Sequence, residues 1–156
     1  MTEASERPSL YEYAGGAPAL LALARAHHAR CLADPELNHP FSHGGHPQHV
    51  ERLAAYWGEV LGGPPAASSA GVDQASVLRM HAHNGDMSDL GRRFLSCFVA
   101  AADDAGLPTD PAFRAALAAY IEWAVADVLA YAPEEAVVPD EAPMPRWTWA
   151  GLQHPG

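Results

Sequence analysis

The chain has 156 residues, with 19 acidic against 9 basic side chains, and its formal net charge is −10 when histidine is neutral. Such an acidic balance, with no basic cluster, argues against binding to nucleic acid or to an anionic membrane surface. The length predicts one domain, and a hydrophobic fraction of 49% is typical of globular proteins.

The cellular setting follows from two further features of the sequence. The polar start and the lack of an apolar run near the ~18 residues of a spanning helix predict a cytoplasmic protein. Cys31 and Cys97 each lie in an apolar helical pattern. We interpret them as buried small hydrophobic residues rather than as a disulfide or redox pair. The sequence leaves open whether the protein is a monomer or a homodimer.

Helical periodicity, broken by Gly and Pro, runs through the first half of the chain, and convincing strand alternation is absent. A first helical turn is predicted from Ser9 to Tyr13. A long helix follows from about Pro18 to Leu32. Its predicted inward face consists of Leu20, Leu21, Ala24, His28 and Cys31.

Two further helices are predicted before the middle of the chain. Asp34 and Pro35 suit the N-cap and first position of a short helix that ends near Phe41. After a loop, the next helix stops at the Gly and Pro residues of positions 62–65. Its predicted inward face consists of His49, Leu53, Tyr56 and Val60, with Trp57 beside them.

The second half of the chain predicts a short segment from Ala75 to His81 and two long helices. Ser88 is the expected N-cap of the first long helix, and Asp110 with Pro111 opens the second. The predicted apolar stripes are Leu90, Phe94, Cys97, Phe98 and Ala101 on the first helix, and Phe113, Leu117, Tyr120, Ile121, Ala124 and Val128 on the second.

We assign residues 1–131 to one domain and residues 132–156 to a C-terminal extension, because the chain becomes acidic and Pro-rich there. Trp147 and Trp149 lie within this extension. We expect the extension either to pack on the domain or to trail from it. The two tryptophans are interpreted as a packing latch, with a partner-binding segment as the alternative.

Nine histidines equal the combined number of Lys and Arg, and most of them lie in one third of the chain. Imidazole is the commonest metal ligand in proteins. His28, His49 and His81, placed among apolar helices, therefore suggest bound iron or zinc. Haem fits such a slot better than a free ion, because the macrocycle supplies four nitrogens and needs one imidazole and an apolar cradle. Phe41, Leu53 and Phe94 are the candidate cradle residues.

The other histidines have simpler interpretations. His27, His39, His43 and His46 are expected on the surface or in loops. A zinc site formed by His43, His46 and His49 is an alternative, although its ligand spacing is looser than that of usual zinc sites and no Cys accompanies it. His83 competes with His81, since a slip of two residues would exchange them.

From Tyr11 to about Ala130 the chain resembles the truncated haemoglobins, or two-over-two globins, and most of all their second group. The Gly pairs at 15–16 and 62–63 match the breaks between that family's helices. The run from Asp34 to Phe41 resembles its short helix with a haem-stacking aromatic. Residues 78–81, Leu-Arg-Met-His, resemble the stretch with the proximal histidine, and residues 94–98 resemble its aromatic-Leu-x-Cys-Met run.

The resemblance implies an all-α fold, a two-over-two helical sandwich around haem b, and a role for each matching residue. His81 would be the proximal iron ligand. Phe41 would pack on the porphyrin, and Arg52 and Arg79 would pair with the haem propionates. The implied distal pocket consists of His28, Phe41, His49, Leu53 and Phe94.

The distal positions depart from the family pattern. His28 stands where a tyrosine is usual, Phe94 replaces a tryptophan, and His49 occupies a position that is seldom histidine. Two imidazoles thus replace hydroxyl and indole donors. Either can donate N–H to a bound ligand, or ligate iron itself.

Three functional classes follow. The first is a haem protein that reversibly binds O2, NO, CO or peroxide, with nitric oxide dioxygenase or peroxidase-like chemistry as its enzymatic forms and an unidentified reductase as partner. The second is a helical enzyme with histidine-bound zinc or iron and no haem. The third is a non-catalytic helical interaction module whose histidines sense pH.

Overall fold

Gly and Pro residues set the helix bounds of the protein, as the sequence predicts. The structure, a computed structural model, describes residues 8–37, 49–81, 88–131, 133, 135–140 and 142–153, with the backbone alone for residues 76 and 79–81. The helices are α1 (Leu10–Ala14), α2 (Ala17–Ala33), α3 (His49–Val60), α4 (Ala66–Ser69), α5 (Gln74–His81), α6 (Ser88–Asp104) and α7 (Pro111–Leu129).

The first helices are separated by glycines in a conformation that other residues seldom adopt. Gly15 and Gly16 have φ angles of 122° and 78°, and Gly62, in the turn after α3, has a φ of 102°. Such positive φ values cost little for glycine because it lacks a Cβ atom. At the start of α1 the Ser9 side chain accepts a hydrogen bond from the Glu12 N–H at 3.1 Å. Local sequence therefore fixes where α1, α2 and α3 begin or end.

The helices form two packed pairs that meet at α2. Helix α2 packs on α3, and α6 packs on α7, while α2 also packs on α6 and so joins the pairs. The core between them is aromatic and aliphatic, and its largest fully buried side chains include Tyr120, Phe98 and Phe113. The all-α class predicted from the sequence is confirmed for the body of the protein. Among the described residues, no helix is long and apolar enough to cross a membrane.

Near the C-terminus the structure adds two short strands, where the sequence shows no convincing strand alternation. Strands β1 (Arg146–Thr148) and β2 (Gly151–Gln153) form an antiparallel hairpin in which Trp147 pairs with Leu152. Three-residue strands are too short for period-two alternation to be visible in the sequence. The hairpin forms around Gly151, whose φ is 106°.

The hairpin packs on the helices through its two tryptophans. Trp147 is buried, and its ring lies 5.7 Å from that of Tyr120 and 5.8 Å from that of Trp123 on α7. The Trp149 ring lies 5.1 Å from that of Tyr13, and its Nε1 donates to the Pro8 carbonyl at 2.8 Å. The extension therefore contributes apolar area to the same core as α1 and α7.

Residues 34–37 form a turn that the Asp34 side chain caps. Asp34 Oδ1 accepts from the backbone N–H groups of Glu36 at 2.8 Å and Leu37 at 3.3 Å. This is the N-cap contact expected of Asp before Pro. The remainder of the predicted short helix, including Phe41, lies outside the described residues.

Candidate functional site

His28 and His49 lie side by side where α2 meets α3. Their ring centroids are 5.6 Å apart with the planes tilted by 54°. Both residues are half-buried, and His28 Nδ1 and His49 Nε2 are shielded from solvent. The structure thus brings together two imidazoles that lie 21 positions apart in the sequence. Two neighbouring imidazoles can donate, accept or exchange a proton near neutral pH.

Apolar side chains of the same helices are left half-buried rather than buried. Val50 and Leu53 of α3 and Phe94 of α6 each pack on the core while keeping part of their surface exposed. Large apolar groups with exposed area favour a ligand that covers them. Leu53 and Phe94 were both predicted to line a pocket, and their partial burial is compatible with that role.

His27 was predicted to lie on the surface or in a loop. It is fully buried, so that prediction is wrong. Its ring packs edge to face against those of Phe94 at 4.4 Å and Trp57 at 5.5 Å. Burial lowers the pKa of His27 to about 4, and the nearby His28 and His49 act in the same direction, while a hydrogen bond to the Phe94 carbonyl opposes them. His27 is therefore neutral at physiological pH.

The contacts of His27 define its tautomer. His27 Nε2 lies 3.4 Å from the carbonyl oxygen of Phe94, which can only accept a hydrogen bond, so Nε2 carries the proton. Nδ1 is then the acceptor, and Cys31 Sγ lies 3.8 Å from it. His27 thus links Cys31 on its own helix to the backbone of Phe94 on α6.

The inward face of α2 is rotated by one position from the predicted face. The buried residues are Leu20, Leu23, Ala24, His27 and Cys31, whereas Leu21 and His28 are half-buried. A helix with apolar residues on nearly every side gives no strong periodic signal, and the choice between neighbouring histidines then depends on packing. A shift in the opposite direction occurs in α3, where Ala54 and Trp57 are buried and Leu53 and Tyr56 are half-buried.

Helix α5, which ends at His81, is tied to α3 and α7 at its first residue. Tyr56 donates to Gln74 Oε1 at 2.6 Å, and Gln74 Nε2 lies 3.5 Å from Asp127 Oδ2. Burial raises the pKa of Tyr56, so its hydroxyl keeps the proton that this bond needs. Gln74 positions α5, and sequence reasoning missed it because a polar residue at a helix start has no distinctive pattern.

The structure describes only some of the remaining predicted site residues. Arg52 is exposed on α3. Arg79 and His81 belong to α5, of which the structure describes only the backbone at these positions. Outside the described residues lie Phe41, His39, His43, His46 and His83. Two of these, His43 and His46, belong to the alternative zinc site. Within the described part of the chain, no three His, Cys, Asp or Glu side chains are grouped as metal ligands.

Comparison with known proteins identifies the family. Residues 9–112 match the family described as bacterial-like globin. The chain belongs to this family. No curated protein sequence matches it.

Solved structures support the same family through the fold. A thermostable hemoglobin from the actinobacterium Thermobifida fusca is 25% identical, with a TM-score of 0.65 over 78% of this chain and 97% of that one. The hemoglobin of the thermophilic phototrophic bacterium Chloroflexus aurantiacus is also 25% identical, with a TM-score of 0.65 over 79% and 98%. The group II truncated hemoglobin of Bacillus anthracis, at 17% identity, shares the fold, with a TM-score of 0.65 over 83% and 95%.

These likenesses confirm the predicted truncated globin fold, and membership of the globin family implies a haem cofactor. The described residues fit such a group. Leu53 and Phe94 offer partly exposed apolar surface to a flat apolar macrocycle, and the half-buried imidazoles of His28 and His49 offer polar contacts.

Proposed function

We propose that this globin binds haem b with His81 as the proximal iron ligand and holds a diatomic ligand on the side of His28 and His49. Haem iron, when bound, supplies reversible coordination of O2, NO or CO. The observation that carries the proposal is the pair of imidazoles 5.6 Å apart beside half-buried Leu53 and Phe94. The family match over residues 9–112 supports the choice of haem over zinc.

The chain's own residues would act on a ligand through hydrogen bonds. A neutral imidazole carries one N–H donor, so His28 or His49 can stabilise a partly anionic ligand by about 1–3 kcal/mol. Leu53 and Phe94 would exclude water from that contact and so strengthen it. Phe41, Arg52 and Arg79 complete the proposed haem contacts by the family resemblance.

Peroxide is a second candidate substrate, and the histidine pair favours it. General acid–base catalysis needs a group that takes a proton from one peroxide oxygen and returns it to the other, and imidazole has a pKa suited to both steps. His28 and His49 are close enough for one to accept while the other donates. From the sequence we also propose a role in nitric oxide detoxification, a reductase that supports this role, and a cytoplasmic setting.

An optical spectrum of the purified full chain, with haem supplied, tests the proximal ligand. We expect ferric, ferrous and ferrous–CO spectra of a histidine-ligated globin, lost in His81→Gly and restored by added imidazole. His83→Ala is the matched control and is expected to keep all three spectra. A His81→Gly protein with unchanged spectra, or a wild-type chain that takes up no stoichiometric haem, would overturn the proposal.

A further inference from the structure

The two cysteines of the chain lie on helices that pack against each other, α2 and α6, although 66 positions separate them in the sequence. Cys31 Sγ lies 3.6 Å from His27 Nε2, and that nitrogen lies 3.4 Å from the carbonyl oxygen of Phe94, one helical turn before Cys97. Each thiol also influences the pKa of the other. Cys31 is fully buried, whereas Cys97 is half-buried, and both are free thiols. The predicted burial of the two cysteines as small hydrophobic residues holds for Cys31, whereas Cys97 keeps part of its surface exposed.

Ion pairs on either side hold the two helices in register at this point. Arg30 pairs with Asp104, with 2.9 Å between Nη2 and Oδ1, and Arg93 pairs with Asp34, with 3.1 Å between Nη1 and Oδ1. Each ion pair joins α2, or the residue that follows it, to α6. Cys31 lies between Arg30 and Asp34 in the sequence, and Cys97 lies between Arg93 and Asp104. Contacts on both sides restrict the motion of the helices and hold the segments that carry Cys31 and Cys97 against each other.

We propose that Cys31 and Cys97 form a reversible intramolecular disulfide that joins α2 to α6 behind His27. A low-molecular-weight disulfide is the oxidant class. The Cys97 thiolate attacks one of its sulfurs, whose S–S bond breaks and releases one small thiol. The Cys31 thiolate then attacks Cys97 Sγ and releases the second. Two protein thiols are oxidised, and their protons pass to the two thiols released.

The order of attack follows from exposure and charge. Cys97 is reachable from solvent, and the positive charges of Arg30 and Arg93 favour its thiolate, whereas the Asp34 carboxylate opposes it. Cys31 has no exposed surface and can react only after Cys97 carries the small group. Burial raises the pKa of both thiols, so the exchange is expected to be slow at neutral pH.

The disulfide would alter the candidate pocket through His27. A reduced Cys31 can donate S–H to His27 Nδ1, and His27 Nε2 bonds to the Phe94 carbonyl. An oxidised Cys31 has no hydrogen to donate. His27 and Phe94 would then adjust together, and the distal face would respond to the redox state. This consequence rests on the proposed haem function, whereas the disulfide itself does not.

The test is thiol mapping of the purified full chain after incubation in a series of glutathione redox buffers, followed by alkylation and peptide mass analysis. We expect a peptide linked through Cys31 and Cys97 that dithiothreitol releases. Cys31→Ser should accumulate a glutathione adduct on Cys97, because the second attack is lost. Cys97→Ser should accumulate none, because Cys31 is buried. Two alkylatable thiols under the most oxidising buffer, or only links between chains, would overturn the disulfide.

Carbon monoxide association to the ferrous protein then tests the link to the pocket. We expect the disulfide form and the reduced form to differ in their rate of carbon monoxide association. The Cys97→Ser variant should show the same association rate after oxidising and after reducing incubation. If the disulfide form and the reduced form bind carbon monoxide at equal rates, the proposed effect of the disulfide on the pocket is overturned. Failure of haem uptake with normal disulfide formation would instead count against the proposed function alone.

Discussion

The imidazole of His27 donates from Nε2 to the backbone carbonyl of Phe94 across the interface between α2 and α6, at 3.4 Å. Phe94 also packs its ring against that of His27, with centroids 4.4 Å apart. One buried, neutral side chain thus holds the residue that is proposed to line the distal pocket. The stability of this arrangement depends on His27 staying neutral.

Protonation of His27 is expected to destabilise the fold at acidic pH. Its pKa falls from 6.5 in the unfolded chain to about 4 in the folded protein, so the unfolded state binds the proton more tightly. The contribution to stability is complete above pH 6.5 and is lost as the pH falls toward 4. At about 1.4 kcal/mol per pKa unit, the loss is of order 3 kcal/mol.

Urea denaturation at several pH values in this window measures that loss. In the variant His27→Gln, residue 27 cannot gain a proton. The free energy of unfolding of this variant should therefore depend less on pH than that of the wild type. His28→Gln, altered at the half-buried neighbour, is the matched control and should keep most of the wild-type slope, because burial rather than His28 is the largest cause of the lowered pKa of His27. Equal slopes in wild type and His27→Gln would contradict the buried neutral histidine.

Replacing His28 or His49 with Ala should speed the dissociation of O2 from the ferrous protein. The lost hydrogen bond is of order 1–3 kcal/mol, which corresponds to a rate faster by roughly five- to 140-fold. Stopped-flow displacement by CO measures it. His28→Tyr places a hydroxyl donor at the same position and should dissociate O2 more slowly than His28→Ala. Unchanged rates in both alanine variants would exclude these histidines as donors.

Trp147→Ala should destabilise the protein by about 3–5 kcal/mol, because it removes a buried aromatic ring that contacts Tyr120 and Trp123. Thermal unfolding followed by circular dichroism measures the change. Val137→Ala is the control, since Val137 is 83% exposed and its truncation should cost little. A Trp147→Ala protein as stable as this control would mean that the hairpin does not contribute to the core.

Glu59→Leu should destabilise the turn between α3 and α4. Both carboxylate oxygens of buried Glu59 accept from Ser68, one from its backbone N–H at 2.9 Å and the other from its hydroxyl. The apolar side chain would leave the partly buried Ser68 N–H without this acceptor, at a cost of about 1–3 kcal/mol. Ser68→Ala keeps the backbone bond and should cost less. Urea denaturation of both variants would detect the difference, and a smaller loss for Glu59→Leu would argue against this role.

Local sequence predicted the helices well because their bounds depend on local chemistry. Asp110 and Pro111 begin α7 as expected, and Gly62 ends the turn after α3. The face that each helix buries was predicted less well. Residues such as His27 and His28 are adjacent on an apolar helix, and only the position of α6 decides which of them is covered.

By itself the sequence determined the helical class and the order of the helices, because caps, breaks and residue types act over a few positions. Only the tertiary structure decided that His27 is buried and neutral, that the helices of Cys31 and Cys97 pack against each other, and that a hairpin carries Trp147 into the core. Each of these depends on contacts between segments distant in the chain. Such contacts are set by the packing of whole helices, which no local pattern records.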